Sequence, residues 1–350
     1  MQFRRCTSAG VRCLPGGLGR CVVLAAAVAV VSGMGFQPTA LGQERKPAAK
    51  TNKAGPPPKL EEDLLLHTHD GLQLALTYYP SANSEELQQG KGKKTIPIVL
   101  LHGWKQSRND YKDLAHALQK LGYAVIVPDL RGHGGSTRRK GATRDDTLDA
   151  AKLAPAQFSL MVTQDMRTVK DFLWQRNNAG ELNIDKLCVV GAEMGASVAL
   201  NFALLDAVDQ ERNQVPRPDY KLGRFVKAIV LISPELSFRG LPIRKAAVYP
   251  PVQRDISVMI LVGKQDAKAL AEAKRIHGIF AKSHPEPTGD DKLDRQTLFL
   301  GELATSLQGT KLLDPKFNLP AVIADFVNRR LVKSDAAKEW SWRERKFPYE

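Results

Sequence analysis

The sequence predicts an α/β protein built on a mostly parallel central sheet with helices on both faces. Short apolar runs alternate along the chain with longer segments of helical periodicity, and this alternation is typical of β-α-β units. The length of 350 residues and the hydrophobic content of 43% suit one sizeable domain with extensions. We therefore expect one sheet, covered on both sides, to form the body of the protein.

The predicted strands begin with a hairpin. Two apolar runs within residues 63–79 flank Asp70-Gly71, a dipeptide suited to a tight turn. Six buried strands then follow in the pattern, at residues 96–101, 123–127, 187–190, 228–232, 256–262 and 297–300.

Helical patterns fill the gaps between these strands. The first covers residues 110–121 and ends at Gly122. Further patterns lie around residues 158–173, 195–208, 267–282 and 322–331. The stretch between Ser233 and Asp255 is too short for a large lid, so we expect little or no lid over the sheet.

The first 42 residues are predicted to be a cleaved secretory signal. An apolar run at residues 21–36 precedes small residues at Ala40 and Gly42, and the basic residues before it are Arg4, Arg5, Arg12 and Arg20. The run is shorter than the roughly 20 residues of a membrane-spanning helix, which favours cleavage over an uncleaved anchor. The predicted location is therefore secreted or periplasmic, and the protein is not expected to be integral to a membrane after cleavage.

Three further segments complete the predicted organisation. Residues 43–60 are rich in Lys, Ala and Pro and contain too little apolar surface to fold, so they are predicted to be a disordered linker. The domain then covers residues 61–332. Residues 333–350 form a charged tail with aromatic side chains, which either docks on the domain or stays loose.

Composition excludes several classes of function. The net charge is +14, but the basic residues are scattered and no nucleic-acid motif accompanies them, so we expect no specific nucleic-acid partner. Cys188 lies in a predicted buried strand and is interpreted as a core residue. His67 and His69 are two residues apart and could bind a metal, but this spacing is more typical of a surface hairpin. We predict no metal and no cofactor.

The candidate site follows from the predicted sheet. Ligands of open parallel sheets bind beyond the carboxyl ends of the strands, and four of these junctions carry distinctive residues. They are His102-Gly103-Trp104, the segment from Asp129 to Ser136, Gly191-Ala192-Glu193-Met194-Gly195, and Gly263-Lys264-Gln265-Asp266.

This series of junctions, within residues 63–331, resembles the α/β-hydrolase family, in particular its secreted lipase-like, esterase-like and peptidase-like members. The family presents a serine on a sharp turn of pattern Gly-x-Ser-x-Gly between a strand and a helix. The resemblance implies that Glu193 stands at the nucleophile position, with Gly191 and Gly195 giving the turn its room. It also implies that Asp266 stands at the position of the catalytic acid, although Asp266 equally suits a helix N-cap.

The resemblance further implies an oxyanion hole and a histidine position. The backbone N–H groups of Trp104 and Met194 match the family's oxyanion donors, with His102 and Gly103 as supporting residues. Gln308 stands near the expected histidine, and no histidine follows His284.

These residues predict an inactive member of the family, a pseudoenzyme with a binding or scaffolding role. A carboxylate at Glu193 cannot be activated as a serine hydroxyl is, and glutamine cannot accept and return a proton near neutral pH. We expect the Glu193 carboxylate to lie toward the oxyanion donors and the adjacent helix N-terminus. The predicted partner is an unknown small-molecule, lipid, glycan or protein ligand of the cell envelope.

Two active alternatives stay open. Haloalkane dehalogenases and epoxide hydrolases place an aspartate at the elbow, so Glu193 could act as a carboxylate nucleophile on ester, amide or related small substrates. Glu193 and Asp266 could instead form an acid and base pair. His102 and His133 lie near the expected rim and are interpreted as structural.

Overall fold

The computed structural model describes residues 60–82, 91–141, 147–213, 215 and 217–346. The predicted signal, residues 43–59 of the predicted linker and residues 347–350 of the tail lie outside the described residues.

Eight strands form one central sheet in the order β1-β2-β4-β3-β5-β6-β7-β8. Strands β1 and β2 form the predicted hairpin, β2 pairs antiparallel with β4, and the remaining neighbours pair in parallel. All six predicted buried strands are confirmed, with ends shifted by at most a few residues. The strands are β1 (Glu62–His67), β2 (Gln73–Tyr79), β3 (Pro97–Leu101), β4 (Ala124–Pro128), β5 (Leu187–Ala192), β6 (Val226–Ile232), β7 (Ser257–Gly263) and β8 (Leu298–Leu303).

Helices cover both faces of the sheet, as the sequence predicts. The helices are α1 (Lys112–Lys120), α2 (Pro155–Leu160), α3 (Met166–Asn178), α4 (Met194–Glu211), α5 (Arg244–Ala247), α6 (Pro250–Asp255), α7 (Ala267–Ala281), α8 (Lys292–Arg295) and α9 (Leu319–Asn328). Apolar residues of α1 and α9 form one hydrophobic core, and those of α2, α3, α4 and α7 contribute to the other. The predicted helix over residues 110–121 is in fact split, because a 3-10 turn at Arg108–Tyr111 precedes α1.

A buried arginine ties the first hairpin to the body of the sheet. Arg131, in the loop after β4, is fully buried and pairs with the equally buried Asp165 at 2.6 Å. Asp165 lies in a π-helical turn, Met161–Asp165, that joins α2 to α3. The other side of the Arg131 guanidinium donates to Asp70 in the hairpin turn at 2.8 Å. This ion network fixes the loop after β4.

The described part of the C-terminal tail docks on the domain. Trp342 Nε1 donates to the carbonyl oxygen of Asn177 at 3.0 Å, and Asn177 Nδ2 donates to the carbonyl oxygen of Arg343 at 2.9 Å. The guanidinium of Arg345 forms a buried ion pair with Asp185. The sequence left open whether this tail docks, and through residue 346 it does.

Only short elements stand between β6 and β7. A two-stranded hairpin of Ser237–Phe238 and Leu241–Pro242 precedes the short helices α5 and α6. This part of the described chain therefore holds no large lid, as the sequence predicts. Within the described ranges, no helix combines the length and the apolar character needed to cross a bilayer.

Candidate functional site

The central feature of the site is a sharp turn between β5 and α4. Glu193 stands alone between the two elements with a φ of 49° and a ψ of −110°, a strained conformation for a residue with a side chain. The turn is possible because its flanks are glycines. A Cβ at Gly191 would lie 2.2 Å from the carbonyl oxygen of Gly195, and a Cβ at Gly195 would lie 2.2 Å from that of Leu101.

The Glu193 side chain lies in a slot between two loops. A Cβ built on Gly103 would lie 2.6 Å from Glu193 Oε2, and one built on Gly309 would lie 2.6 Å from Oε1. The carboxylate therefore fills the space between the loop after β3 and the loop after β8. Its Oε2 is thus beside the loop that carries the Trp104 N–H, although among the described residues neither the Trp104 N–H nor the Met194 N–H donates a hydrogen bond to it.

The environment of Glu193 disfavours its charged form. Partial burial raises the pKa of its carboxyl, and the negative charge of Glu235 raises it further, while Lys311 opposes both effects. A larger fraction of Glu193 is therefore protonated near neutral pH than for a glutamate in water, and a protonated carboxyl is a poorer nucleophile.

Gln308 is held in a closed hydrogen-bond network. Its Oε1 accepts from Ser233 Oγ at 2.6 Å, and its Nε2 donates to the carbonyl oxygen of Gly263 at 2.8 Å. Ser233 Oγ in turn accepts from the Gly309 N–H at 2.9 Å. The amide thus joins the ends of β6 and β7 to the loop after β8, and both of its polar atoms are committed to these contacts.

Asp266 occupies two roles at once. Its Oδ1 accepts from the backbone N–H groups of Lys268 and Ala269, each at 3.0 Å, so it is the N-cap of α7. Its side chain also lines the same cavity as Glu193. The structure brings Glu193, Asp266 and Gln308 to one cavity, as the resemblance implies for the nucleophile, acid and histidine positions.

The two nearby histidines are engaged by the backbone. His102 Nδ1 lies 2.8 Å from the carbonyl oxygen of Gly103, and the Leu130 N–H donates to its Nε2 at 3.0 Å. These partners require the proton on Nδ1, and burial together with the neighbouring His133 lowers the pKa of His102 to about 4. His133 Nδ1 lies 3.0 Å from the carbonyl oxygen of Arg131. Neither imidazole is among the residues that line the cavity.

Trp104 is covered by the short hairpin that follows β6. Its Nε1 donates to the carbonyl oxygen of Ala150 at 3.2 Å, and the guanidinium of Arg239 lies over its ring with Cζ 3.9 Å from the centroid. The indole is therefore a fixed wall beside the elbow, held on two sides.

The cavity beside Glu193 has a volume of about 220 Å³. Its lining contains four carboxyl side chains and one lysine. The lining residues are Glu193, Ser233, Pro234, Glu235, Asp266, Lys268, Ala269, Glu272 and Gln308. Sequence reasoning missed Ser233 and Glu235, although both follow β6 at the carboxyl edge of the sheet, where the rule for the other junctions would have found them.

Metal and thiol chemistry receive no support from the described residues. Within those ranges, no group of three or more His, Cys, Asp or Glu side chains is placed to hold a metal ion, and this includes His67 and His69. Cys188 is buried in β5, and burial raises the pKa of its thiol well above the ordinary range.

Comparisons with known proteins give a family match and several relatives. Residues 96–250 match the family described as the alpha/beta hydrolase fold. An uncharacterized protein of Mycobacterium tuberculosis is 27% identical over 288 residues, which cover 72% of this chain and 85% of that protein. A soluble epoxide hydrolase of Corynebacterium sp. is 34% identical over 107 residues, which cover 31% of this chain and 29% of that enzyme.

Solved structures with a similar fold include esterases. An esterase of Pyrococcus furiosus has a TM-score of 0.47 and 17% identity, covering 77% of this chain and 92% of its own. A fungal esterase of Rhizomucor miehei has a TM-score of 0.49 and 12% identity, and the match covers 78% of this chain and 84% of that esterase. The strand order, the strand-elbow-helix unit and the match of residues 96–250 show that the chain has the α/β-hydrolase fold.

Proposed function

We propose that this protein is an exported pseudoenzyme of the α/β-hydrolase superfamily, which binds a ligand at the Glu193 cavity without turning it over. The observation that carries the proposal is the state of Gln308. Its amide is hydrogen-bonded on both polar atoms at the place where the family needs a base, and an amide cannot shuttle a proton near neutral pH.

Serine-type acyl transfer also lacks its nucleophile. Ser233 Oγ lines the cavity, but its proton is donated to Gln308 Oε1 and its lone pair accepts from Gly309. Activation of this hydroxyl would need a base in place of the amide. The hydroxyl therefore serves the hydrogen-bond network rather than attack on a carbonyl.

A carboxylate nucleophile is the second candidate, favoured by the position of Glu193 on the strained elbow and by the stretch similar to an epoxide hydrolase. Attack by Glu193 on an epoxide or alkyl halide would give a covalent ester, and water must then be activated to cleave it. No imidazole lines the described cavity, and Asp266 is occupied as an N-cap. We therefore expect no release of product by this route.

The charge of the cavity favours neutral or cationic ligand groups over anions. Four of its lining side chains are carboxyls, against the single ammonium of Lys268. The volume of about 220 Å³ suits a small group, such as one end of a larger envelope glycan, lipid or protein. Export rests on the predicted signal at residues 1–42.

The test compares the native chain with Glu193→Ala and with the double variant Glu193→Ser, Gln308→His. Short-chain esters, peptides, epoxides and haloalkanes are offered to each, and we expect no turnover by the native chain. Turnover that is lost in Glu193→Ala would overturn the proposal in favour of the carboxylate nucleophile.

Binding needs its own readout, because absence of turnover alone does not show a ligand. Envelope glycans, lipids and peptides are screened for compounds that raise the unfolding temperature of the native chain. Glu235→Gln removes one lining charge without touching the elbow and is the matched variant. A ligand whose stabilising effect is unchanged by Glu193→Ala and by Glu235→Gln would place binding elsewhere.

A further inference from the structure

A second cavity lies at the opposite edge of the sheet from Glu193. It has a volume of about 430 Å³ and opens at the amino ends of β6 and β7, where Lys227 and Ser257 lie near the first residues of their strands. The docked tail closes one side with Trp340, and the turn after α9 contributes Arg330. Nothing in the proposed function uses this cavity.

Two cations in this cavity have no acidic partner. Among the residues that the structure describes, no carboxylate lies within ion-pairing distance of Lys227 or Arg330. Lys227 Nζ lies over the Trp340 ring at 4.9 Å from its centroid, and it makes no hydrogen bond within the same ranges. Ion pairs elsewhere in the described chain engage most other half-buried basic side chains, so this absence is a local feature.

The Arg330 guanidinium is held by hydrogen bonds from two of its three nitrogens to described residues. The side chain is only 7% exposed, with Nε donating to Ser257 Oγ at 3.2 Å and Nη1 donating to the carbonyl oxygen of Asp294 at 2.5 Å. Within the described ranges, Nη2 has no acceptor. Because Ser257 Oγ is an acceptor in this contact, its own proton is also available. The cavity thus holds several hydrogen-bond donors around one space.

The acidic side chains of the lining offset these cations only in part: the negative charges of Asp206 and Asp255 raise the pKa of Lys227 against the effect of burial, but neither carboxylate forms an ion pair with it. The Asp206 carboxylate is already compensated by Lys170 at 2.9 Å and by the backbone N–H groups of Phe225 and Val226. Asp255 and Glu339 are exposed at the rim. Two more basic residues, Arg224 and Arg254, lie at the same rim.

We propose that this cavity binds the phosphate group of a phosphomonoester, held by Lys227, Arg330 Nη2 and the Ser257 hydroxyl. A phosphate has enough oxygen acceptors for all three donors and a charge of up to −2. A single carboxylate has two oxygens and one charge, so it would leave a cation uncompensated. The remaining volume accommodates a small organic moiety beside the Trp340 ring.

The electrostatics of the cavity agree with this assignment. Burial lowers the pKa of Lys227 to about 7, with a further contribution from the positive charge of Lys221, and burial also lowers the pKa of Arg330. A cation taken out of water without a counter-ion destabilises the folded state. A bound phosphate would supply that counter-ion and stabilise the protein.

Calorimetric titration of the purified chain tests the proposal, at constant ionic strength and about pH 6.5, with inorganic phosphate, phenyl phosphate and acetate. We expect both phosphates to bind with one site per chain and at least tenfold more tightly than acetate. Lys227→Met should weaken phosphate binding at least tenfold. Lys112→Met is the control, because it removes one positive charge from an exposed position at the other edge of the sheet. Its phosphate affinity should stay within twofold of the native value.

Thermal unfolding shows whether a variant that fails to bind phosphate is still folded. Since Lys227 makes no hydrogen bond or ion pair with the described residues, and its ammonium is disfavoured by burial, Lys227→Met without ligand should unfold at the native temperature or higher. Phosphate should raise the unfolding temperature of the native chain and of Lys112→Met, but not that of Lys227→Met. The proposal would be overturned if the native chain and Lys227→Met bound phosphate with equal affinity. It would also be overturned if the native chain bound acetate as tightly as phosphate.

Vesicles distinguish the two sources of the phosphate group. Binding to phosphatidic acid vesicles that is lost in Lys227→Met, but kept in Lys112→Met, would identify a lipid headgroup as the ligand. Binding of phenyl phosphate without vesicle binding would identify a free phosphomonoester. Vesicle binding that both variants retain, with no binding of either soluble phosphate, would show only general attraction to a basic surface and would refute the site.

Discussion

The Glu193 carboxylate occupies the space that a side chain at Gly309 would need, with Oε1 only 2.6 Å from the position of a Cβ there. Gly309 also has a φ of 59°, in the left-handed region that favours glycine. The elbow glutamate and the glycine after Gln308 are therefore sterically matched. In this conformation the Glu193 side chain leaves no room for a Cβ at position 309.

Gly309→Ala should destabilise the native chain by about 2–4 kcal/mol, from overpacking against Glu193 together with strain at a positive φ. In a Glu193→Ala background the steric part disappears and only the backbone strain of about 1–2 kcal/mol should remain. Urea unfolding of the four proteins in this double-mutant cycle gives the coupling directly. Costs that simply add, with no coupling, would show that the carboxylate does not occupy this slot.

Glu193→Gln should change the pH dependence of stability in a defined direction. The pKa of Glu193 is raised in the folded chain, so ionising it costs more folded than unfolded. The penalty is absent at pH values below the unfolded pKa and complete above the folded pKa. The variant should therefore gain stability over the native chain at pH 8 and lose that advantage near pH 4.

Urea unfolding at several pH values measures this difference. The exposed Glu344 provides the control, because E344Q removes the same charge outside the cavity. A gain for Glu193→Gln that is constant from pH 4 to pH 8, or that matches the control, would contradict the raised pKa.

Gln308→Ala should cost about 1–3 kcal/mol of stability, since it leaves the Ser233 hydroxyl and the Gly263 carbonyl oxygen without their amide partner. Ser233→Ala removes the other partner of the same hydrogen bond, the Ser233 hydroxyl. Because the two side chains share one network, the double variant should be less destabilised than the sum of the two single variants. Strict additivity in chemical unfolding would mean that the network is not formed.

The sequence predicts the sheet well because its signals are local. Each buried strand is an apolar run of the length expected for a strand. Each of the predicted helices has apolar residues at helical spacing or a terminating residue, such as Gly122 after α1. The elbow is equally local: Gly191 and Gly195 bracket Glu193 within five residues. The local pattern does not predict the order of the strands along the sheet, because that order depends on pairing between segments far apart in the sequence.

The parts that sequence reasoning missed depend on contacts between distant segments. The slot between Gly103 and Gly309, and the contribution of Glu235 to the pKa of Glu193, join residues from separate loops. The position of the Glu193 carboxylate between Gly103 and Gly309 likewise depends on a loop more than 100 residues away in the sequence.

Arg131→Met should be among the most destabilising single changes, by about 3–5 kcal/mol, because it leaves the fully buried Asp165 carboxylate without its partner. The double variant Arg131→Met, Asp165→Leu removes both charges and should recover much of the loss. Arg138→Met, in the same segment, is the matched control. If the double variant is no more stable than Arg131→Met, the cost lies in packing and the buried pair is not responsible.

The side chain of Asn177 is one anchor of the docked tail. Its Nδ2 donates to the carbonyl oxygen of Arg343, and its Oδ1 accepts from the Ile184 N–H at 3.1 Å. Asn177→Ala removes both contacts and should cost about 1–3 kcal/mol. Amide exchange at residues 340–346 should accelerate more than exchange in β5, because the tail loses an anchor while the strand keeps its ladder.

Asn328→Ala is a matched change at the end of α9, where the side chain makes no hydrogen bond to the described residues, and it should leave exchange in the tail unchanged. The tail also forms a wall of the cavity at Lys227 through Trp340. Loosening it with Asn177→Ala should therefore weaken phosphate binding while leaving the Glu193 cavity intact. Faster exchange of the tail with unaltered phosphate affinity would show that Trp340 closes the cavity independently of the Asn177 anchor.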